Sequence, residues 1–121
     1  MKPLAALFAL LLTANVAAAD LVVESPKRLP AVRDAHLTEL LAQREGSPVI
    51  VSFWASWCEP CRDEMPALQR LADRGISVIT VAVADNKRQV GDFLDKISVT
   101  LPLAYDPDQV IARAWGVSML P

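Results

Sequence analysis

The chain has 121 residues, 12 Lys and Arg against 14 Asp and Glu, a single His, two Cys and 53% apolar side chains. That length holds one domain. A formal charge of −2, with both signs scattered along the chain, builds neither a basic field for nucleic acid nor an acidic tail, so nucleic-acid binding is disfavoured and no nucleic-acid partner is expected.

The amino terminus is a special segment: residues 1–19 carry 15 apolar side chains and one charged one, Lys2. Lys2, an apolar run over 4–12, and Ala17-Ala18-Ala19 ahead of Asp20 are the three parts of a secretory signal peptide. Nine helical residues rise only about 14 Å against a hydrocarbon core of about 30 Å. Cleavage after Ala19 is therefore favoured over retention as a membrane anchor, and a soluble periplasmic or otherwise extracytoplasmic location follows. Export would bring the chain into an oxidising compartment, where a thiol pair can close to a disulfide.

Residues 20–48 read as a lead-in. Pro26 and Pro30 break it, a strand is possible at 21–23, and Leu37, Leu40 and Leu41 mark a short helix that stops at Gly46-Ser47-Pro48. His36, ahead of that helix, reads as an exposed or capping residue. Residues 49–121 then read as one α/β domain. Residues 49–54 form a β-branched and aromatic run with only Ser52 polar, which predicts a strand covered on both faces. Met65, Leu68, Leu71 and Ala72 mark a helix that continues past Pro66 to Gly75. Residues 76–83 predict a second buried strand, and Val90, Phe93, Leu94 and Ile97 another helix. Residues 101–105 predict a third strand, and Asp106-Pro107-Asp108 opens a helix that stops at Gly116. Strand and helix in alternation imply a parallel sheet.

Between the first strand and its helix lies Cys58-Glu59-Pro60-Cys61. Two intervening residues let both sulfurs share the first turn of a helix, where unpaired N–H groups and the helix dipole favour the Cys58 thiolate. Cys61, farther into the turn, is placed to attack a mixed disulfide, and Pro60 fits a first turn because its missing N–H is not needed there. This is a two-electron dithiol switch. A purely structural bridge is the plainer alternative, but closing about four residues contributes only about 2 kcal/mol. Zinc wants four ligands and the chain offers two thiols and the distant His36. Haem attachment would need His where Arg62 stands. No metal and no bound cofactor are expected.

The run Phe53-Trp54-Ala55-Ser56-Trp57-Cys58-Glu59-Pro60-Cys61-Arg62, followed by Glu64-Met65-Pro66, resembles the active-site segment of extracytoplasmic thioredoxin-like proteins of the TlpA/ResA type. The resemblance extends over residues 49–121 and implies a thioredoxin-like fold and thiol-disulfide oxidoreductase activity. It implies that Cys58 attacks and Cys61 resolves. It makes Pro121 a cis-proline facing the sulfurs, with the Leu120 backbone open to a substrate chain. Polypeptide disulfides become the substrate class, with apocytochrome c thiols as the group to be kept reduced, and a membrane thiol-disulfide reductase the electron donor. The family's C-terminal antiparallel hairpin and last helix are missing from this sequence, which leaves the strand at 49–54 with an open edge and a tendency to self-associate. Thioredoxin's buried Asp is replaced by Ser52, so Asp85 becomes the candidate proton acceptor for Cys61, by resemblance; the alternative is that Asp85-Asn86 caps the following helix.

Glu59 beside Cys58 should disfavour the thiolate, by roughly 0.6 kcal/mol at about 7 Å in water and about 2.4 kcal/mol at an effective dielectric of about 20, against a helix dipole worth about 0.3–1 kcal/mol. A reductant is thereby favoured over a strong oxidant; otherwise Glu59 merely complements the helix start. Trp57 and Trp54 offer either a docking rim for polypeptide or core packing, with packing favoured for Trp54, and Trp115 reads as core. Peroxide reduction on a related fold is a competing activity, and a redox-inactive, polypeptide-binding or self-associating partial domain with a static bridge is the non-enzymatic alternative.

Overall fold

The computed structural model describes residues 34–121. The expected signal peptide and the strand at 21–23 lie outside the described residues. Seven elements follow in order: α1 (Ala35–Ala42), β1 (Val49–Trp54), α2 (Glu59–Asp73), β2 (Ser77–Val83), α3 (Lys87–Ile97), β3 (Leu103–Asp106) and α4 (Val110–Ala114). The three strands form a parallel sheet in the order β1-β2-β3. Val49 pairs with Ser77 and Trp54 with Ala82, while Thr80 pairs with Leu103 and Val83 with Asp106.

The period-two alternation of β2 sorts its side chains to two faces. Val78 and Ala82 join Trp54, Cys61, Met65 and Val90 in a layer beneath α2 and α3. Ile79, Val81 and Val83 join Leu37, Ile111 and Ala112 in a layer beneath α1 and α4. Each layer is apolar, and Thr80, buried on β2, satisfies its hydroxyl by donating to the Pro102 carbonyl at 3.1 Å.

Local chemistry sets the helix starts. Asp34 accepts from the Leu37 amide at 2.8 Å to cap α1, and Asn86 accepts from Gln89 at 2.8 Å to cap α3. At α4 the cap is remote from the first helical residue: the Asp106 carboxylate accepts from the amides of Ile111 and Ala112 at 3.1 and 2.8 Å. The helix expected after Asp106-Pro107-Asp108 is thus present, shortened to five residues. The third strand is shifted to Leu103–Asp106. Helix α2 runs without a break through Pro66.

One expectation is corrected. β1 is not covered on both faces, for most of its residues are only half-buried and Ile50 is 37% exposed. The strand order explains this: among the described residues β2 takes the centre, whereas β1 pairs with β2 alone and has no partner strand at its other edge.

Candidate functional site

At the carboxyl end of β1 the chain turns through Ala55-Ser56-Trp57 and enters α2. Cys58 takes the N-cap position with extended backbone, and its carbonyl accepts the first helical bond from Arg62 at 3.0 Å. No side-chain oxygen caps this helix. The unpaired N–H groups of the first turn therefore act on whatever charge Cys58 carries. Glu59 and Pro60 occupy the exposed first two helical positions, and Cys61 follows on the inward face. Cys58 and Cys61 are joined as a disulfide with Cα atoms 5.3 Å apart. Both are buried, Cys58 with 7% of its surface exposed and Cys61 with 1%. They close the layer beneath α2, against Trp54, Ala55 and Met65.

The loop is fixed from across the sheet. The Asp85 carboxylate, in the turn after β2, accepts from the Ser56 amide, from the Ser56 hydroxyl at 3.0 Å and from the Asn86 amide at 2.8 Å. Independently, the Trp57 indole Nε1 donates to the Ala84 carbonyl at 3.0 Å. One turn thus holds two successive residues of the segment that delivers Cys58. Asp85 makes no hydrogen bond to either sulfur among the described residues, and the helix cap is Asn86. Its contacts are those of a loop tether.

Trp57 is 61% exposed despite its tether, while Trp54 is buried and tilts against Phe93 with ring centroids 5.7 Å apart. Trp115 packs similarly on Phe53, and His36 is exposed on α1. At the far end of the described chain the Leu120–Pro121 peptide bond is cis. Leu120 is partly buried against both apolar layers. Leu120, Met119 and Trp57 line one depression of about 190 Å³, and Pro121 lines a neighbouring groove with Ser52 and Glu64.

Sequence reading did not anticipate Ser56, whose partner lies 29 residues away, or the stack in which the Arg62 guanidinium lies 4.8 Å above the Phe93 ring. The run of small residue, Trp and Cys carried a signal that the loop mattered, but nothing local in it identifies a distant carboxylate.

Comparison with known proteins agrees with this geometry. Residues 25–121 match the AhpC/TSA family, and the chain belongs to that thioredoxin-like family. It is 32% identical over 85 residues to the thiol-disulfide oxidoreductase ResA of Bacillus subtilis, covering 67% of this chain and 48% of ResA. It is 37% identical over 102 residues to the thiol:disulfide interchange protein HelX of Rhodobacter capsulatus, covering 78% and 57%. Among solved structures, a secreted thiol-disulfide isomerase from Corynebacterium glutamicum superposes with a TM-score of 0.56 at 29% identity, covering 67% of this chain and 52% of that one. A secreted Mycobacterium tuberculosis disulfide oxidoreductase gives 0.53 at 26% identity, covering 63% and 58%. The chain spans about half the length of the first-ranked curated relatives.

Proposed function

We propose that this member of the AhpC/TSA family acts as an exported thiol-disulfide oxidoreductase that reduces disulfides in polypeptides. The observation that carries the reading is the Cys58–Cys61 bond set at the amino-terminal edge of α2, with its loop held by Asp85 and Trp57. In the reduced state the Cys58 thiolate attacks one sulfur of a substrate disulfide, and the other substrate sulfur leaves as a thiolate. The Cys61 thiolate then attacks Cys58 Sγ, which releases the second substrate thiol and leaves the Cys58–Cys61 disulfide. Two electrons and two protons pass to the substrate, and a membrane thiol-disulfide reductase returns them.

Pro60 and Glu59 tune the pair, and Leu120 with Pro121 receives the substrate backbone. Apocytochrome c whose cysteines have closed to a disulfide, or misoxidised periplasmic proteins, are the substrates that fit, because an exported dithiol meets them in its own compartment. Residues 1–19 serve as the export signal, 20–48 as the lead-in and 49–121 as the catalytic unit. The free edge of β1 is a surface for self-association.

The burial of Cys58 favours one second reading, in which the bridge is static and the domain binds polypeptide. Glutathione redox titration with thiol alkylation separates the two. A reversible two-electron transition nearer thioredoxin's about −270 mV than DsbA's about −120 mV supports the reductant. Absence of any transition supports the static bridge. Cys61→Ser should trap substrate as mixed disulfides on Cys58, and failure to trap any would remove the resolving role.

A further inference from the structure

Trp57 lies between two depressions, one lined mainly by aliphatic side chains and one that carries charged ones. On one side, Met119, Leu120 and Val117 give it apolar neighbours, and Met119 is 77% exposed. On the other side, a depression of about 310 Å³ is lined by Ser56, Arg62, Phe93, Gln89, Lys96 and Asp92. Two cations face one anion there, and Asp92 already lies 3.9 Å from Arg88 in an ion pair on α3. Among the described residues, neither Arg62 nor Lys96 has a carboxylate within ion-pair distance.

The Arg62 guanidinium carbon lies over the Phe93 ring, 4.8 Å from its centroid, and Phe93 in turn packs on buried Trp54. A guanidinium held over a ring still offers outward N–H groups, and such groups pair strongly with a carboxylate. The stack also holds the side chain in place, so less freedom is lost when a ligand binds. A pocket with two cations, one carboxylate and an aromatic back therefore meets a mainly aliphatic one at an exposed indole, one residue before Cys58, with Glu59 and Asp63 on the far side of Arg62.

We propose that this surface selects extended polypeptides carrying an acidic side chain on one side of the Trp57 crossing and an apolar side chain on the other. The carboxylate meets Arg62 and Lys96, and the apolar side chain enters between Met119 and Leu120. The inference deepens the proposed function by naming its substrate class and rests on that reading for its biological meaning, though the binding itself needs no redox step. The chain's overall charge of −2 gives no long-range attraction for such a peptide, so the preference is local and sensitive to salt.

The test uses the whole chain and two cysteine-free peptides of about ten residues, roughly 33 Å when extended. Both carry Leu in one half, and the other half carries paired Asp in one and paired Asn in the other. Two exposed charge contacts should make the Asp peptide bind about three- to tenfold tighter. That preference should vanish in Arg62→Gln/Lys96→Gln and fall only in part in Arg62→Lys, which keeps the charge but not the forked donor set. It should also fade between about 0.01 M and 1 M salt, as the screening length falls from about 30 Å to about 3 Å. Equal affinities for the two peptides, no binding of either, or a preference that persists in the double glutamine variant would each overturn the proposal. Exchange with oxidised glutathione, measured in parallel, reads the dithiol alone. Peptide preference without exchange means that the redox reading fails and the binding surface stands.

Discussion

Asp85, after β2, and Asp106, closing β3, stand at the same end of neighbouring strands, yet one reaches across the fold and the other acts within its own turn. Asp106 is 3% exposed and spends its carboxylate on the amides of Ile111 and Ala112, five and six residues ahead. Asp85 is only partly buried and spends most of its capacity on Ser56, 29 residues back. A carboxylate with local partners builds an element, here α4. One with distant partners sets the relation between elements, here the loop of Cys58 against the turn after β2. Removing the first should damage stability, and removing the second should damage the site.

The sharpest way to break this contrast is Asp106→Ala. Two buried amides lose their acceptor, which should lower unfolding stability by about 2–4 kcal/mol in a urea titration. The redox potential of the dithiol should stay unchanged in the same variant. A stability loss under about 1 kcal/mol would show that water or a neighbouring carbonyl replaces Asp106, and the contrast would lose its first half.

Asp85→Ala should produce the reverse signature. Its partners can turn to water, so the stability loss should be about 1 kcal/mol. With the Ser56 tether gone, iodoacetamide should alkylate the reduced cysteines severalfold faster. A loss of stability as large as that of Asp106→Ala, with alkylation unchanged, would place Asp85 among the purely structural residues.

The smallest expected effect belongs to Glu59, which touches the site only through its charge. Glu59→Gln removes a negative charge about 7 Å from Cys58 and should stabilise the thiolate by roughly 0.6 kcal/mol, or about 0.4 of a pKa unit. A more stable thiolate means a more stable reduced form, so the potential should become less negative by about 10 mV. Thiolate absorbance against pH and glutathione titration give the two readings. If neither moves, the Glu59 carboxylate is fully solvated and serves the helix start alone.

The dithiol and its place on a helix were legible because both depend on spacing alone: with Pro60 between them, Cys58 and Cys61 must share a first turn. The same holds for the Asn86 cap and for the buried run of β2. The role of Asp85 was not legible. Its position suggested proton transfer or, with Asn86, capping; besides the Asn86 amide its carboxylate holds Ser56, and no local pattern ties residue 85 to residue 56. The Arg62, Phe93 and Trp54 stack was hidden for the same reason, since its members come from three different elements.

The strands show where that boundary lies. Residues 49–54 and 77–83 are both apolar and β-branched, and each sequence forms a strand because such side chains favour the extended backbone. Which strand becomes the centre of the sheet is a matter of order, not of composition. β2 is flanked on both sides and buries nearly every side chain, while β1 lies at the edge with Ile50 partly in solvent. The sequence by itself determined the elements, the dithiol and the chemistry open to it, because these rest on interactions within a few residues. Only the tertiary structure decided how far β1 is covered, what holds the Cys58 loop and what flanks Trp57, because those depend on contacts between segments that are far apart along the chain.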